Sequence, residues 1–222
     1  MTAPLTPGPR PEPVRLSGRT VRIEPLDPAR DAVALFAAAH GDDPDRLFRY
    51  LFTPPFPDAG SYRDYLESWC GTANTLAFSL FEIDAELPFG SASLMRIVPE
   101  HRCIEVGSIW YAAAVQRSTA TTEAMHLLAR YVFDELGYRR YEWKCDSRNA
   151  PSRRAALRLG FSFEGIFRNH MIVKGDSRDT AWFAMTDEDW PSRRAAFERW
   201  LDPTNFDAAG AQRRSLADCR KP

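Results

Sequence analysis

Long apolar runs are missing: no stretch of the chain approaches the roughly 20 consecutive apolar residues that a membrane-spanning helix needs. The amino terminus also lacks a basic segment leading into an apolar one, so a cytoplasmic protein with no membrane partner is expected. Neither sign of charge is in excess, with 29 Lys and Arg against 30 Asp and Glu in 222 residues. No whole-molecule field exists to recruit nucleic acid or an anionic surface. Cysteine is scarce: Cys70, Cys103, Cys145 and Cys219 form no CxxC pair, and the four histidines do not join them at metal-ligand spacing. We therefore expect reduced thiols and no metal. Glycine numbers only 12, and none falls in the segment VQRSTATTEA at 115–124, where chemistry is most expected.

What is present is 44% hydrophobic residues, enough for one sizeable core. Residues 1–13 hold five prolines and read as an extended arm outside that core. Residues 14–202 read as a single domain, and residues 203–222, which lose hydrophobic periodicity, as a polar tail or a loosely docked extension.

Within the domain, TVRIEPL alternates as a strand, and Pro28 opens a helical run that stops at Gly41. Two short helices flank an aromatic loop around 53–57. Three strand candidates follow, TLAFSLFEI, FGSASLMRIV and CIEVGSIWY, joined closely enough for an antiparallel meander. TATTEAMHLLARYVFDEL is the strongest helical pattern, with Gly137 as its carboxyl-terminal cap. RRYEWKC alternates as a half-buried strand, and Asn149 caps a helix that Gly160 ends. Two further strands, FSFEGIFRNHMIV and DTAWFAMT, close the domain around a turn at 174–178. The sum is an α/β (α+β) fold with a mixed, mostly antiparallel central sheet flanked by helices.

The corner Val115, Gln116, Arg117, Ser118, Thr119, Ala120 and Thr121 joins a strand to a helix amino terminus, where unpaired N–H groups and the helix dipole favour an anion. On these residues alone a capped helix and an anion site are equally good readings. Glu105 is a carboxylate inside an apolar strand, costly unless paired or functional, and desolvation would raise its pKa toward that of a general base. His170, on a later strand, is the competing base. The basic residues Arg139, Arg140, Lys144, Arg148, Arg153, Arg154 and Arg158 fall on an alternating strand and one helix face, which reads as a solvated surface. No aromatics interleave with them as in a single-strand binder, so nucleic acid is not expected as a partner.

Through QRSTATTEA, NAPSRRAALRLGF and EGIFRNHMIVKGDSRDTAWFAM, the sequence resembles the GNAT superfamily of acyl-CoA N-acyltransferases, in its RimJ/RimL-type branch, from Val14 to about Trp200. The resemblance implies a GNAT-like sheet and a cytoplasmic acetyltransferase. Its partners would be acetyl-CoA and a primary amine, either a peptide amino terminus or a small molecule. Gln116, Thr119 and Thr121 fall on the three defining positions of the family's pyrophosphate loop, which has glycine where this chain has threonine. Asn149 and Ser152 would reach the CoA arm, and Arg153 or Arg154 its 3'-phosphate. Glu105 or His170 would take the amine proton and Ser152 protonate the leaving thiolate, while Phe52, Phe56, Trp69, Trp110 and His170 would line the acceptor side. The glycine-free loop leaves a competing reading, a GNAT-like protein that binds CoA or a small ligand without turnover. Either a monomer or a homodimer fits the sequence.

Overall fold

The computed structural model describes residues 6–41 and 43–221. The first five residues of the expected arm and the last residue of the expected tail lie outside the described residues. Among the described residues, eight strands form one sheet in the order β1-β2-β3-β4-β5-β6-β8-β7. They are β1 (Leu16–Ser17), β2 (Val21–Pro25), β3 (Thr75–Glu82), β4 (Gly90–Val98), β5 (Cys103–Tyr111), β6 (Arg140–Asp146), β7 (Ser162–Val173) and β8 (Asp176–Thr186). Every neighbouring pair is antiparallel except β5 and β6, which run parallel. That one parallel pair requires a crossover, supplied by α4 (Thr119–Arg130). The fold is the mixed, mostly antiparallel α/β sheet that the sequence implies.

The helices divide between the two faces. α1 (Pro28–Ala39), α2 (Pro44–Phe48) and α3 (Ala59–Cys70) cover one face through Leu35, Phe48, Tyr62 and Leu66. α4, α5 (Ala150–Leu159) and α6 (Trp190–Leu201) cover the other, where Phe78, Leu80, Leu94, Ile104, Val106 and Leu128 form the main core. Asp27 and Asn149 cap α1 and α5 as their residue types predict, and each helix has proline in its first turn. Gly137 (φ +63°) and Gly160 (φ +102°) take the left-handed conformation that glycine adopts without strain.

Two differences from the sequence reading matter. The β7–β8 turn is confined to Lys174 and Gly175, so Ser177 and Arg178 belong to β8. The segment after β8, in which the sequence reading places no element, forms α6, with Trp190, Phe197 and Trp200 buried. The stretch beyond residue 202 docks on α6, and Leu216 and Cys219 are each only 1% exposed. At the other end, the Gly8 N–H donates to the Pro99 carbonyl and the Tyr138 hydroxyl to the Pro9 carbonyl, holding residues 8–9 against the domain.

Candidate active site

Both α4 and α5 begin at the carboxyl ends of the parallel strands β5 and β6. A parallel pair puts its ligands there, because the following helices aim their amino termini at the same crevice. β5 and β6 pair only from Cys103↔Arg140 to Val106↔Trp143. β5 nevertheless continues to Tyr111, with its other edge still held by β4. From Gly107 onward, then, its backbone edge toward β6 carries no strand partner, and a groove opens between the two strands.

The glycine-free corner closes that groove. The chain leaves β5 through a short turn at 113–115, and the one positive φ of the corner falls on Arg117, at +67°. Ser118 is extended and caps α4, its hydroxyl accepting from the Thr121 N–H at 3.3 Å. Thr119 and Thr121 are therefore ordinary first-turn helical residues, which is why glycine is not needed at either place. The Thr121 and Thr122 hydroxyls donate inward to the Ser118 carbonyl at 2.9 and 3.4 Å. Donors for an anion thus come from the backbone: helix geometry leaves the Thr119 and Ala120 N–H groups free, while Ser118 takes that of Thr121. Gln116 turns back to the Tyr111 carbonyl at 3.2 Å, and Val115 packs against the main core.

Across the groove, Asn149 accepts from the Ser152 N–H at 3.1 Å, and the Ser152 hydroxyl accepts from the Trp143 indole at 2.9 Å. Both residues therefore serve the first turn of α5. Arg153 donates to the Ser147 carbonyl at 3.2 Å, and Arg158 reaches the Thr122 hydroxyl at 3.1 Å, joining α5 to α4.

The floor of the site is a buried ionic row on the face opposite α4. Glu105, only 4% exposed, lies 2.9 Å from the Lys144 ammonium and 3.0 Å from the Arg96 guanidinium. Lys144 also meets Glu142 at 2.7 Å and stands 3.9 Å over the Trp182 ring. Burial raises the Glu105 pKa, and the opposing pull of Lys144 does not cancel it. Burial pushes Glu142 up as well, but there Lys144 and Arg140 prevail and hold it below the usual carboxylate range. The Lys144 side chain is 6% exposed, which overturns its reading as part of a solvated basic face. Both faces of β6 are covered, and alternation in its sequence reveals only one.

A bulge decides which β5 side chains share that floor. Ser108 has φ +51°, and the β4–β5 register shifts between Ser93↔Gly107 and Ser91↔Trp110. The parity of the strand changes there. Ile104 and Val106 face the main core, whereas Trp110, also even-numbered, packs with α1–α3. Trp110, Trp69 and Phe56 belong to that second hydrophobic cluster, and the Trp69 indole donates to Ser93 at 3.0 Å. Phe52 is different: it is 40% exposed and stands 5.1 Å from the Arg178 guanidinium. His170 is half-buried, with Nδ1 3.0 Å from the Thr180 hydroxyl, on the β7–β8 side of the site. Arg178 and Trp182 escaped sequence reasoning, and Lys144 entered it only as part of a basic surface. Trp182 alone had a signal, as an aromatic in a strand beside small residues.

Two concavities among the described residues lie away from the ionic row. One of about 470 Å³ lies between the β1–β2 and β3–β4 turns, and one of about 290 Å³ between α6 and the docked carboxyl-terminal segment.

A family model described as an acetyltransferase (GNAT) domain matches residues 20–162. A GCN5-related N-acetyltransferase from Brucella melitensis is 44% identical, with a TM-score of 0.95 over 98% of this chain and 99% of that one. YdaF of Bacillus subtilis, whose name proposes a ribosomal N-acetyltransferase, is 27% identical over 79% of this chain and 94% of its own. Mycobacterium smegmatis RimJ, solved in complex with CoA-disulfide, shares the fold at 22% identity, with a TM-score of 0.67 over 81% of this chain and 90% of that one.

Proposed function

The chain belongs to the GNAT acetyltransferase family, and from that premise we propose that it transfers an acetyl group from acetyl-CoA to a primary amine by direct attack on the thioester. The observation that carries the proposal is the break in β5–β6 pairing beyond Val106, which opens onto the amino terminus of α4. An extended pantetheine arm carries amides that match the unpaired edge of β5, and a pyrophosphate matches the free Thr119 and Ala120 N–H groups. Acetyl-CoA supplies the activated acyl group.

The chain supplies position and proton transfer. A backbone N–H of the β5 segment 107–111 meets the oxygen that becomes negative during attack. Glu105 accepts the proton of the incoming ammonium, directly or through water, with a basicity raised by burial. His170, at the far side of the same face, is the alternative acceptor of that proton. A CoA thiol leaves with little help near neutral pH, so the Ser152 hydroxyl, already engaged with Trp143, is an optional acid. Proximity contributes much of the rate, which suits a site with few dedicated groups. The three matching motifs and the YdaF likeness support the RimJ/RimL-type branch.

The test is release of CoA thiol from acetyl-CoA by purified protein, across small amines and peptide amino termini. Amine-dependent release is expected. Saturable CoA binding without release from any amine would make the protein a ligand sensor.

A further inference from the structure

Strand β8 carries polar groups for which acyl transfer alone gives no use. Its residues Arg178, Thr180 and Trp182 alternate onto one face, and β6 pairs Lys144 with Trp182 and Asp146 with Thr180, so this is the face of the ionic row. Arg178 is only 6% exposed. Its Nε is fully covered with no hydrogen-bond partner among the described residues, and so is the Trp182 Nε1. Such orphans are rare, because a buried donor without an acceptor is costly.

The acids on this face are engaged elsewhere. Asp146 receives Arg148 Nε at 3.0 Å and Nη2 at 2.8 Å. Glu105 is shared by Lys144 and Arg96, and Glu142 by Lys144 and Arg140. Among the described residues, none of the ion pairs within 4.0 Å includes Arg178. Burial lowers its pKa, and Asp146 only partly opposes this. The Phe52 ring closes one side, on a loop that Lys174 holds through the Phe48, Arg49 and Thr53 carbonyls at 2.8, 3.4 and 3.3 Å.

From this arrangement we infer that the acceptor amine carries a carboxylate, which Arg178 receives, while the Trp182 indole donates to a second oxygen of the same molecule. The charge count favours a carboxylate over a phosphate. Glu164 holds Arg140 as well, at 2.8 and 2.5 Å, so Glu105, Glu142 and Glu164 balance Lys144, Arg96 and Arg140; among the described residues of this row Arg178 alone lacks an acid, and a single cation matches a planar monoanion that accepts two parallel N–H bonds. The four residue steps from Arg178 to Trp182 span about 13 Å of strand, a length that suits an amino acid or the first residues of a peptide. The inference rests on the amine-acetylation reading and narrows its acceptor.

The experiment compares matched acceptors with acetyl-CoA: free amino acids against their carboxamides, and peptides beginning with Glu or Asp against those beginning with Gln or Asn. Thiol release gives kcat/KM, and calorimetry on the CoA complex gives acceptor binding. One arm, free or peptidic, is expected to show a carboxylate preference of about tenfold to a hundredfold. Arg178→Gln should bring the ratio toward one, and Arg178→Lys should keep part of it. Because the ratio is internal to each variant, a loss of folded protein does not mimic the effect, and a thermal melt confirms the fold. Turnover with equal rates in both pairs would overturn the inference and leave the acetyltransferase standing. Carboxylate-selective binding with no turnover would do the reverse, and a preference unchanged in Arg178→Gln would also overturn it.

Discussion

Glu105 combines a 4% exposed carboxylate with two cations within 3.0 Å, and its raised pKa follows from burial that Lys144 and Arg96 only partly offset. A base works deprotonated, so the acidic limb of the kcat/KM profile should rise above the ordinary carboxylate range. Glu105→Gln should remove that limb and lower kcat by about a hundredfold or more. If the limb persists and His170→Ala removes it, the proton goes to His170. His126 tests burial without catalysis. Packed 5.1 Å from the Phe197 ring, it has its pKa lowered to about 4, first by burial and then by Arg130. Below about pH 6.5 the unfolded chain takes a proton that the folded one refuses until about pH 4, so acid destabilises by up to about 3 kcal/mol over that window. Denaturant midpoints of His126→Phe should lack this component. Glu105 was legible because a carboxylate in an apolar strand is conspicuous. Lys144 was not, because much of its cover comes from Glu105 and Trp182, which are distant in sequence.

Helices, the meander and the caps were legible because they depend on local spacing and on residues such as Pro28, Asn149 and Gly160. The Ser108 bulge was not. It arises from pairing with β4, and it sends Trp110 into the α1–α3 cluster rather than the main core. The β7–β8 hairpin was half legible. Residues 174–178 read as the turn, whereas the structure makes a two-residue turn and directs Arg178 inward. α6 went unread, although Trp190, Phe197 and Trp200 recur at helical spacing, because arginines and glutamates separate them. At this scale the Lys174 clasp is open to test. Lys174→Ala frees the loop that carries Phe52, so the acceptor KM should rise severalfold while acetyl-CoA affinity is unchanged. Equal losses in both would place the clasp in global stability instead.

The whole molecule is one sheet with helices on both faces, and its crevice exists because one parallel pair separates before its strands end. The family was legible from three motifs, and a capped helix was one of the two readings of the corner, but the placement of its positive φ on Arg117 was not legible. The docked carboxyl-terminal segment also belongs to this scale. Arg199 donates to the Cys219 carbonyl at 3.0 Å, and Arg220 to the Arg158 carbonyl at 2.7 Å. Ending the chain at Asp202 exposes the sites of Leu216 and Cys219 and should lower Tm by about 10 °C, read by a thermal melt. The central claim is that backbone donors of α4 hold the pyrophosphate of acetyl-CoA, and Thr119→Pro isolates one of them. Proline suits the first helical position, and Ser118, at ψ 168°, already has the extended conformation that must precede it. Calorimetric titration with acetyl-CoA should give saturable binding to the wild-type protein, weakened about tenfold or more in Thr119→Pro at unchanged Tm. No binding to the wild-type protein, or equal affinity in the variant, would contradict the account.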